Sequence, residues 1–236
     1  MIAAGCPMNG REWIVKHWVK HIVRAADEAE QDLVLVTLIS PEDHETNQFL
    51  EEACITNDVD LLTYFTDEPY RKDKREWSHQ RYHHMVELRN TLLEYIRLLG
   101  PEYFLSVDSD ILLDRSVIKN MVEDLENPPH FDAVSSKCWL SPNSNQIVNW
   151  AVKSPQGSLR RSDQHGVFPV DVIMALKLMN HSAYSIDYAW DAHGEDIGWS
   201  NAAKTAGLKL GFDGRNPSKH CMSPADLHKV DKRIGW

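Results

Sequence analysis

The sequence predicts an α/β fold, a mainly parallel sheet with helices packed on its faces. Three observations predict it. Apolar runs of strand length alternate with segments of helical period through the first 140 residues, the pattern of linked βα units. Turn residues punctuate the joins, as at Pro7, Asn9 and Gly10, at Pro41, and at Gly100-Pro101. The run Tyr103–Val107 is apolar almost throughout and too short for a helix, so it reads as a central strand buried on both faces.

The elements follow in order. Met1–Cys6 reads as a first strand closed by the turn at Pro7, Asn9 and Gly10. Ile14, Trp18, Ile22 and Ala25 then recur at the spacing of one helix face, giving a helix over about 11–29. Asp32–Ile39 is a second strand, 42–55 a helix with Pro41 near its start, and Val59–Phe65 a third strand. Residues 66–79 are polar and read as a loop. Met85, Leu88, Leu92, Ile96 and Leu99 form the stripe of a long helix over 80–99, ended by Gly100. After the central strand come a helix over 115–126, stopped by Pro128-Pro129, and a strand over Phe131–Leu140. Residues 141–169 are rich in Ser, Asn, Gly and Pro and read as a long irregular segment, of the kind that is functional or mobile. Val170–Leu178 is apolar and fits either strand or helix. A short helix over 195–206, a short strand at Leu208–Phe212 and an irregular tail from Gly214 complete the chain. No repeat or linker divides it, so 1–236 reads as a single domain.

A formal charge of −10 argues against a broad nucleic-acid face, which needs clustered cations. The short basic patches Arg71, Lys72, Lys74, Arg75 and Arg160-Arg161 read as solvated loops. Cys6, Cys54, Cys138 and Cys221 are scattered without a Cys-x-x-Cys pair, as expected of reduced packing cysteines. No secretory leader pattern and no bilayer-length apolar run is present, so a cytoplasmic protein with no membrane span is expected.

The central strand ends in Asp108-Ser109-Asp110. Carboxylates at the tip of a buried strand are costly unless compensated, and a divalent cation with oxygen ligands is the simplest compensation. On a continuing strand the two Asp would share a face. In a sheet of this class ligands bind beyond the carboxyl ends of the strands, which puts residues 6–9, the loop after Phe65 and the two Asp along one edge. Glu195 and Asp196 open a helix, where the macrodipole favours acids, and either one could instead serve as base or acceptor-orienting carboxylate. If the C-terminal segment folds back onto that edge, His220 completes a metal site with Asp110, and Lys219 lies near a diphosphate. Arg89, just before the central strand, suits a phosphate. His79 and His83, four apart with His84 adjacent, have zinc spacing but no further partner, and read as a solvated helix start.

These motifs in this order resemble a GT-A glycosyltransferase, of the nucleotide-diphospho-sugar transferase superfamily. The likeness rests on Pro7-x-Asn9-x-Arg11-Glu12, Leu88-Arg89-Asn90-x-Leu92-Leu93, Asp108-Ser109-Asp110, Gly194-Glu195-Asp196 and His220. Phe131-Asp132-Ala133-Val134 through Cys138-Trp139 to Asn149-Trp150, and the late helix followed by His220, are further similar to mannosyltransferases of the fungal α-mannan polymerase type. The resemblance implies a GT-A (Rossmann-like) domain whose residues 1–110 bind nucleotide and whose residues 111–236, ending in an irregular segment, bind acceptor. It implies transfer of a sugar from a nucleotide-diphosphate donor, a UDP-sugar before GDP-mannose, with Mn²⁺ or Mg²⁺. Asp110 and His220 would be metal ligands and Asp108 would hold donor ribose or sugar. Pro7, Asn9, Arg11 and Asp67 would border the nucleotide, Arg89 the diphosphate or the donor sugar, and Glu195 or Asp196 the acceptor hydroxyl. The segment 141–169 would act as a lid. The acceptor, a glycan, lipid, protein or modified nucleobase, stays open. So do two other functions: a nucleotidyltransferase, against which the glycine-poor residues 5–11 argue, and a nucleotide-sugar-binding subunit without turnover.

Overall fold

The structure, a computed structural model, describes residues 1–66, 78–142, 144, 146, 147, 149–153, 159, 160 and 165–233. Asp67, the basic residues from Arg71 to Arg75, Arg161 and much of the segment expected as a lid lie outside the described residues.

In chain order the elements are β1 (Ile2–Met8), α1 (Val15–Glu28), β2 (Leu33–Ile39), α2 (His44–Thr56), β3 (Asp60–Phe65), α3 (His79–Leu99), β4 (Tyr103–Val107), β5 (Ile111–Leu112) and α4 (Val117–Glu126). There follow β6 (Ala133–Trp139), β7 (Trp150–Lys153), β8 (Leu159–Arg160), β9 (Val167–Pro169), β10 (Val172–Ile173), β11 (Leu176–Met179), α5 (His181–Tyr184), α6 (Glu195–Thr205), β12 (Leu210–His220) and α7 (Pro224–Arg233). The main sheet runs β3-β2-β1-β4-β11-β6-β12-β5, with β9 also on β12. β1 to β4 are parallel, β11 enters antiparallel between β4 and β6, and β12 is again parallel to β6. β10, β7 and β8 form a small second sheet.

Alternation along the central strands separates two cores. Ile2, Ala4, Cys6, Leu105 and Val107 pack with Trp18, Ile22 and Met121, so α1 and α4 cover one face. Ala3, Val36 and Phe104 pack with Leu92, Ile96 and Trp199, so α3 and α6 cover the other. Strands buried on both faces need near-continuous apolar runs, which is why β1, β2 and β4 were legible. The long helix ends at Gly100 as expected, and its start is capped by Ser78, within the stretch read as loop. Ser78 accepts the N–H of Arg81 at its start, and Gly100 at φ 63° ends it. Its buried residues are Arg89, Leu92, Leu93 and Ile96, while Met85, Leu88 and Leu99 are half-buried. The stripe is rotated from the expected one because charged partners draw Arg89 inward. Among the described residues no helix is long and apolar enough to cross a membrane.

Three expectations are corrected and one open reading is decided. β1 continues through Pro7, which aligns with Leu38 of β2; pairing with β4 has ended by Gly5, so one flank is free and the missing N–H is tolerated. The stretch from 141 to 169 is not wholly irregular, since it carries β7, β8 and β9. Val170–Leu178 resolves into two strands, β10 and β11. The tail is not irregular either: β12 runs to His220 across a bulge between Asp213 and Ser218, and α7 follows. Gly214, Asn216 and Pro217 look like breakers in sequence, but here they form the bulge.

Candidate functional site

The carboxyl ends of β1, β4 and β12 converge on Asp108-Ser109-Asp110. The chain turns there rather than continuing as strand. The N–H of Ile111 donates to the carbonyl of Asp108 at 3.0 Å, and β5 leaves toward β12. Two anchors hold the corner. The N–H of Asp108 donates to the carbonyl of Ala175 at 2.9 Å, and Trp18 Nε1 donates to the Asp108 carbonyl at 3.2 Å. The two carboxylates therefore take separate partners instead of acting as a pair on one strand face.

Asp110 faces Arg11 and His220. Arg11 donates from Nε to Ser109 Oγ at 2.8 Å and from Nη2 to Asp110 Oδ2 at 2.9 Å, and is itself buried. His220 Nε2 lies 3.3 Å from Asp110 Oδ1, brought there by β12 pairing with β5, where His220 aligns with Ile111. Burial opposes ionisation of Asp110, yet His220 and Arg11 bring its pKa down to about 2. Burial likewise opposes charge on His220, and the contact with Asp110 raises its pKa on balance.

Asp108 faces the α3 side. Ser106 and Asp108 alternate onto that face, where Arg89 Nη1 donates to Ser106 Oγ at 3.1 Å and Nη2 to Asp108 Oδ1 at 2.5 Å. Glu195 Oε1 stands 3.8 Å from the same Nη2. Burial raises the Glu195 pKa and the charge of Asp196 adds to this, while Arg89 draws it down. Arg89 is thus a buried guanidinium shared by two carboxylates from elements far apart in sequence.

Asp196 has a different fate from Glu195. It bonds to Lys177 Nζ and accepts the N–H of Ala175 at 2.9 Å. Lys177 is 1% exposed, and its ammonium lies 4.9 Å from the ring centroids of both Tyr188 and Trp199. Burial works against the Asp196 charge, but Lys177, Arg89 and the Ala175 N–H lower its pKa. Sequence reasoning missed Lys177, Ser106 and Ser109. A lone lysine inside the apolar run 170–178 was the available signal, since a charge there must be paired.

Of the other residues singled out, Pro7 and Asn9 are half-buried at the end of β1 and in the turn after it. Lys219 is half-buried beside His220 on β12 and aligns with Leu112 and Trp139. Asn9 Oδ1, Arg89 Nε and Tyr188 Oη are buried without hydrogen-bond partners among the described residues. Arg89 and Tyr188 lie together, with the guanidinium carbon 5.7 Å from the ring centroid, and their orphaned atoms are of the kind a polar ligand satisfies.

Among the described residues no group of three His, Cys, Asp or Glu side chains stands close enough to hold a metal ion by itself. The donor chemistry still fits a cation shared with a ligand. A carboxylate and an imidazole 3.3 Å apart are a mixed O/N pair, to which a diphosphate and water would add oxygens. At the corner Asp108, Asp110, Glu195 and Asp196 gather around the guanidinium groups of Arg11 and Arg89 and the ammonium of Lys177, and the charge of Glu195 also acts on Arg81.

Neither a protein-family model nor a curated protein sequence matches this chain. Solved structures share its fold. TarS 1–349 from S. aureus, also solved with UDP-GlcNAc, has a TM-score of 0.60 at 13% identity, covering 97% of this chain and 62% of its own. The mannosyltransferase PcManGT from Pyrobaculum calidifontis, solved with GDP-Man and Mn²⁺, has a TM-score of 0.59 at 15% identity, covering 94% of this chain and 57% of its own. This chain therefore spans roughly three-fifths of the length of either. The inositol-1-phosphate CTP transferase from T. maritima has a TM-score of 0.54 at 12% identity, covering 98% and 97%. The chain has the GT-A, nucleotide-diphospho-sugar transferase fold, with its mainly parallel sheet flanked by helices.

Proposed function

We propose that the chain is a metal-dependent glycosyltransferase that moves a sugar from a nucleotide-diphosphate donor, a UDP-sugar before GDP-mannose, to a hydroxyl acceptor. The observation that carries this is the meeting of Asp110 and His220 at 3.3 Å, across 110 positions of sequence, beside the Arg89–Asp108 pair. Such an arrangement at the carboxyl ends of the sheet is suited to a diphosphate and the cation that accompanies it.

In this reading Asp110 and His220 hold Mn²⁺ or Mg²⁺, which when bound supplies positive charge to the departing diphosphate. Asn9, Arg11 and Pro7 border the nucleotide together with Asp67, and Lys219 lies toward the phosphates. Asp108 receives ribose or donor-sugar hydroxyls while Arg89 holds that carboxylate in place. Glu195 is the better of the two acids for the acceptor. Its raised pKa and its long 3.8 Å contact with Arg89 suit it to accept a hydrogen bond from the acceptor hydroxyl and take its proton. Asp196, committed to Lys177 and Ala175, positions the helix start instead. Residues 1–110 thus supply the nucleotide side and 111–236 the acceptor side of one domain, with His220 returning to the first. A cytoplasmic location accompanies this reading, supported by four buried free cysteines.

A thermal-shift screen of nucleotide sugars with and without Mn²⁺ tests the proposal. A donor at a hundredfold excess over its Kd stabilises by about 2.7 kcal/mol, or about 5 °C for a chain of this size. The shift is expected to need Mn²⁺ and to disappear in His220→Ala, and transfer should release a nucleoside diphosphate. No shift with any nucleotide sugar ends the proposal. The likeness to a CTP transferase over both full lengths favours nucleotidyl transfer as the second reading, and release of pyrophosphate would select it. Donor binding with neither product would leave a non-catalytic binding subunit.

A further inference from the structure

Beside the start of α6, where Glu195 sits, lies an aromatic surface that the donor reading above does not use. Trp190 is 44% exposed, unlike the buried Trp18, Trp150 and Trp199. Its ring stacks on His83 of α3, with centroids 5.1 Å apart and planes 8° apart, and His79 tilts against it at 5.9 Å. The histidines whose spacing suggests zinc thus support an indole.

The loop that presents Trp190 is held rigidly. Asn90 clamps the backbone of Tyr188 from both sides, donating to its carbonyl at 3.0 Å and accepting its N–H at 2.7 Å. Gly198, one turn beyond Glu195, lets the backbone of Ala189 and Trp190 lie so close to α6 that a Cβ there would stand 1.8 Å from the Ala189 oxygen. On the other side, a Cβ on Gly194 would stand 3.7 Å from Tyr82 of α3. The exposed indole is therefore fixed between α3 and the first turn of α6, where Glu195 sits. One face of the ring is packed on His83 and 44% of the residue is left to solvent, held in a fixed orientation beside the start of α6.

We propose that Trp190, backed by His83, is the platform on which a pyranose ring of a carbohydrate acceptor lies, an inference that rests on the glycosyltransferase reading. A pyranose has an apolar C–H face and a polar edge. The indole offers an electron-rich face of matching width, and polar groups able to meet hydroxyls are the imidazoles of His79 and His83 against it and the Asp191–His193 pair that follows it in the chain. A lipid chain would need a contiguous apolar patch of a few hundred Å²; among the described residues the Trp190 indole is flanked by the imidazoles of His79 and His83. The proposal therefore commits to a saccharide acceptor.

Saturation-transfer NMR on the whole chain, with methyl α-mannopyranoside and methyl β-glucopyranoside as probes and hexanol and a Ser/Thr peptide as comparators, tests this. Saturation should reach the ring C–H protons of at least one pyranoside. It should fall about fivefold or more in Trp190→Ala, fall at least twofold in His83→Ala, and survive in large part in Trp190→Phe, because the effect comes from ring stacking. Melting temperature and the nucleotide-sugar shift are measured on each variant; should Trp190→Ala not fold, the half-exposed Phe variant and the surface His83→Ala variant decide. Transfer that is absent for both pyranosides, unchanged by the variants, or stronger to hexanol or peptide overturns the inference. Loss of the nucleotide-sugar shift in the unmodified chain removes the glycosyltransferase reading, whereas an intact shift without pyranoside contact removes the platform alone.

Discussion

Replacing Lys177 by Met tests the buried charge behind the site. Met keeps most of the apolar stem and deletes the ammonium. Lys177 is 1% exposed and Asp196 9% exposed, so the carboxylate cannot recover its solvation by turning outward. Breaking a buried pair by removing one partner costs about 3–5 kcal/mol. Asp196 keeps the Ala175 N–H at 2.9 Å and the field of Arg89, which points to the lower end, about 3 kcal/mol at pH 7. With a urea slope of about 3 kcal/mol/M the midpoint should fall by about 1 M. The pH dependence follows from the direction of the shifts. Asp196 has a lowered pKa in the folded protein, so its contribution is present above the unfolded value of about 3.9 and is lost as pH falls through the folded value. Without Lys177 the folded pKa rises above the unfolded one, the unpaired carboxylate takes up a proton, and the deficit relative to the unmodified chain shrinks from pH 7 to pH 5. Adding Asp196→Asn should restore about half of the loss. Urea titrations of the unmodified chain, the single variant and the double variant at both pH values give the answer. A deficit below about 1 kcal/mol at pH 7, or one that neither pH nor the second substitution alters, would refute the reasoning.

Glu195→Gln should lower transfer by about 10²- to 10⁴-fold while leaving donor affinity within a few-fold, measured as kcat against the Mn²⁺-dependent thermal shift. Asp196→Asn should instead lower stability and transfer together, because it unpairs Lys177. Gly198→Ala should cost about 2–4 kcal/mol in a thermal melt, since the added Cβ would stand 1.8 Å from a backbone oxygen that cannot move without the loop carrying Trp190. Burial, with Asp213 adding to it, pushes the Asp124 carboxyl up to about 6 against the pull of Arg215. The folded protein then holds a proton that the unfolded chain has released, so stability should decline as pH rises from about 4 to 6. Asp124→Asn should flatten that limb in urea midpoints taken at pH 4.5 and 7.

The sequence by itself determined the layered α/β architecture and the edge where a ligand would bind. Both follow from local rules. Period and turn chemistry mark β1 to β4 and their helices, and βα alternation sends their carboxyl ends to one side. The candidate residues were also legible one at a time, because Asp108, Asp110 and Arg89 are charges at the end of buried runs. What the tertiary structure decided was who meets whom. A turn at Asp108-Ser109-Asp110 sends one carboxylate to Arg89 and the other to Arg11 and His220, where local spacing put both on one face. A bulge carries β12 past Gly214 and Pro217, so a tail that reads as irregular delivers His220. Lys177 separates Asp196 from its neighbour Glu195, and His83 stacks under Trp190 rather than binding metal with His79. In each case the deciding contact joins residues distant in sequence, and pairing of buried charges and rings is a property of the packed state that no local window contains.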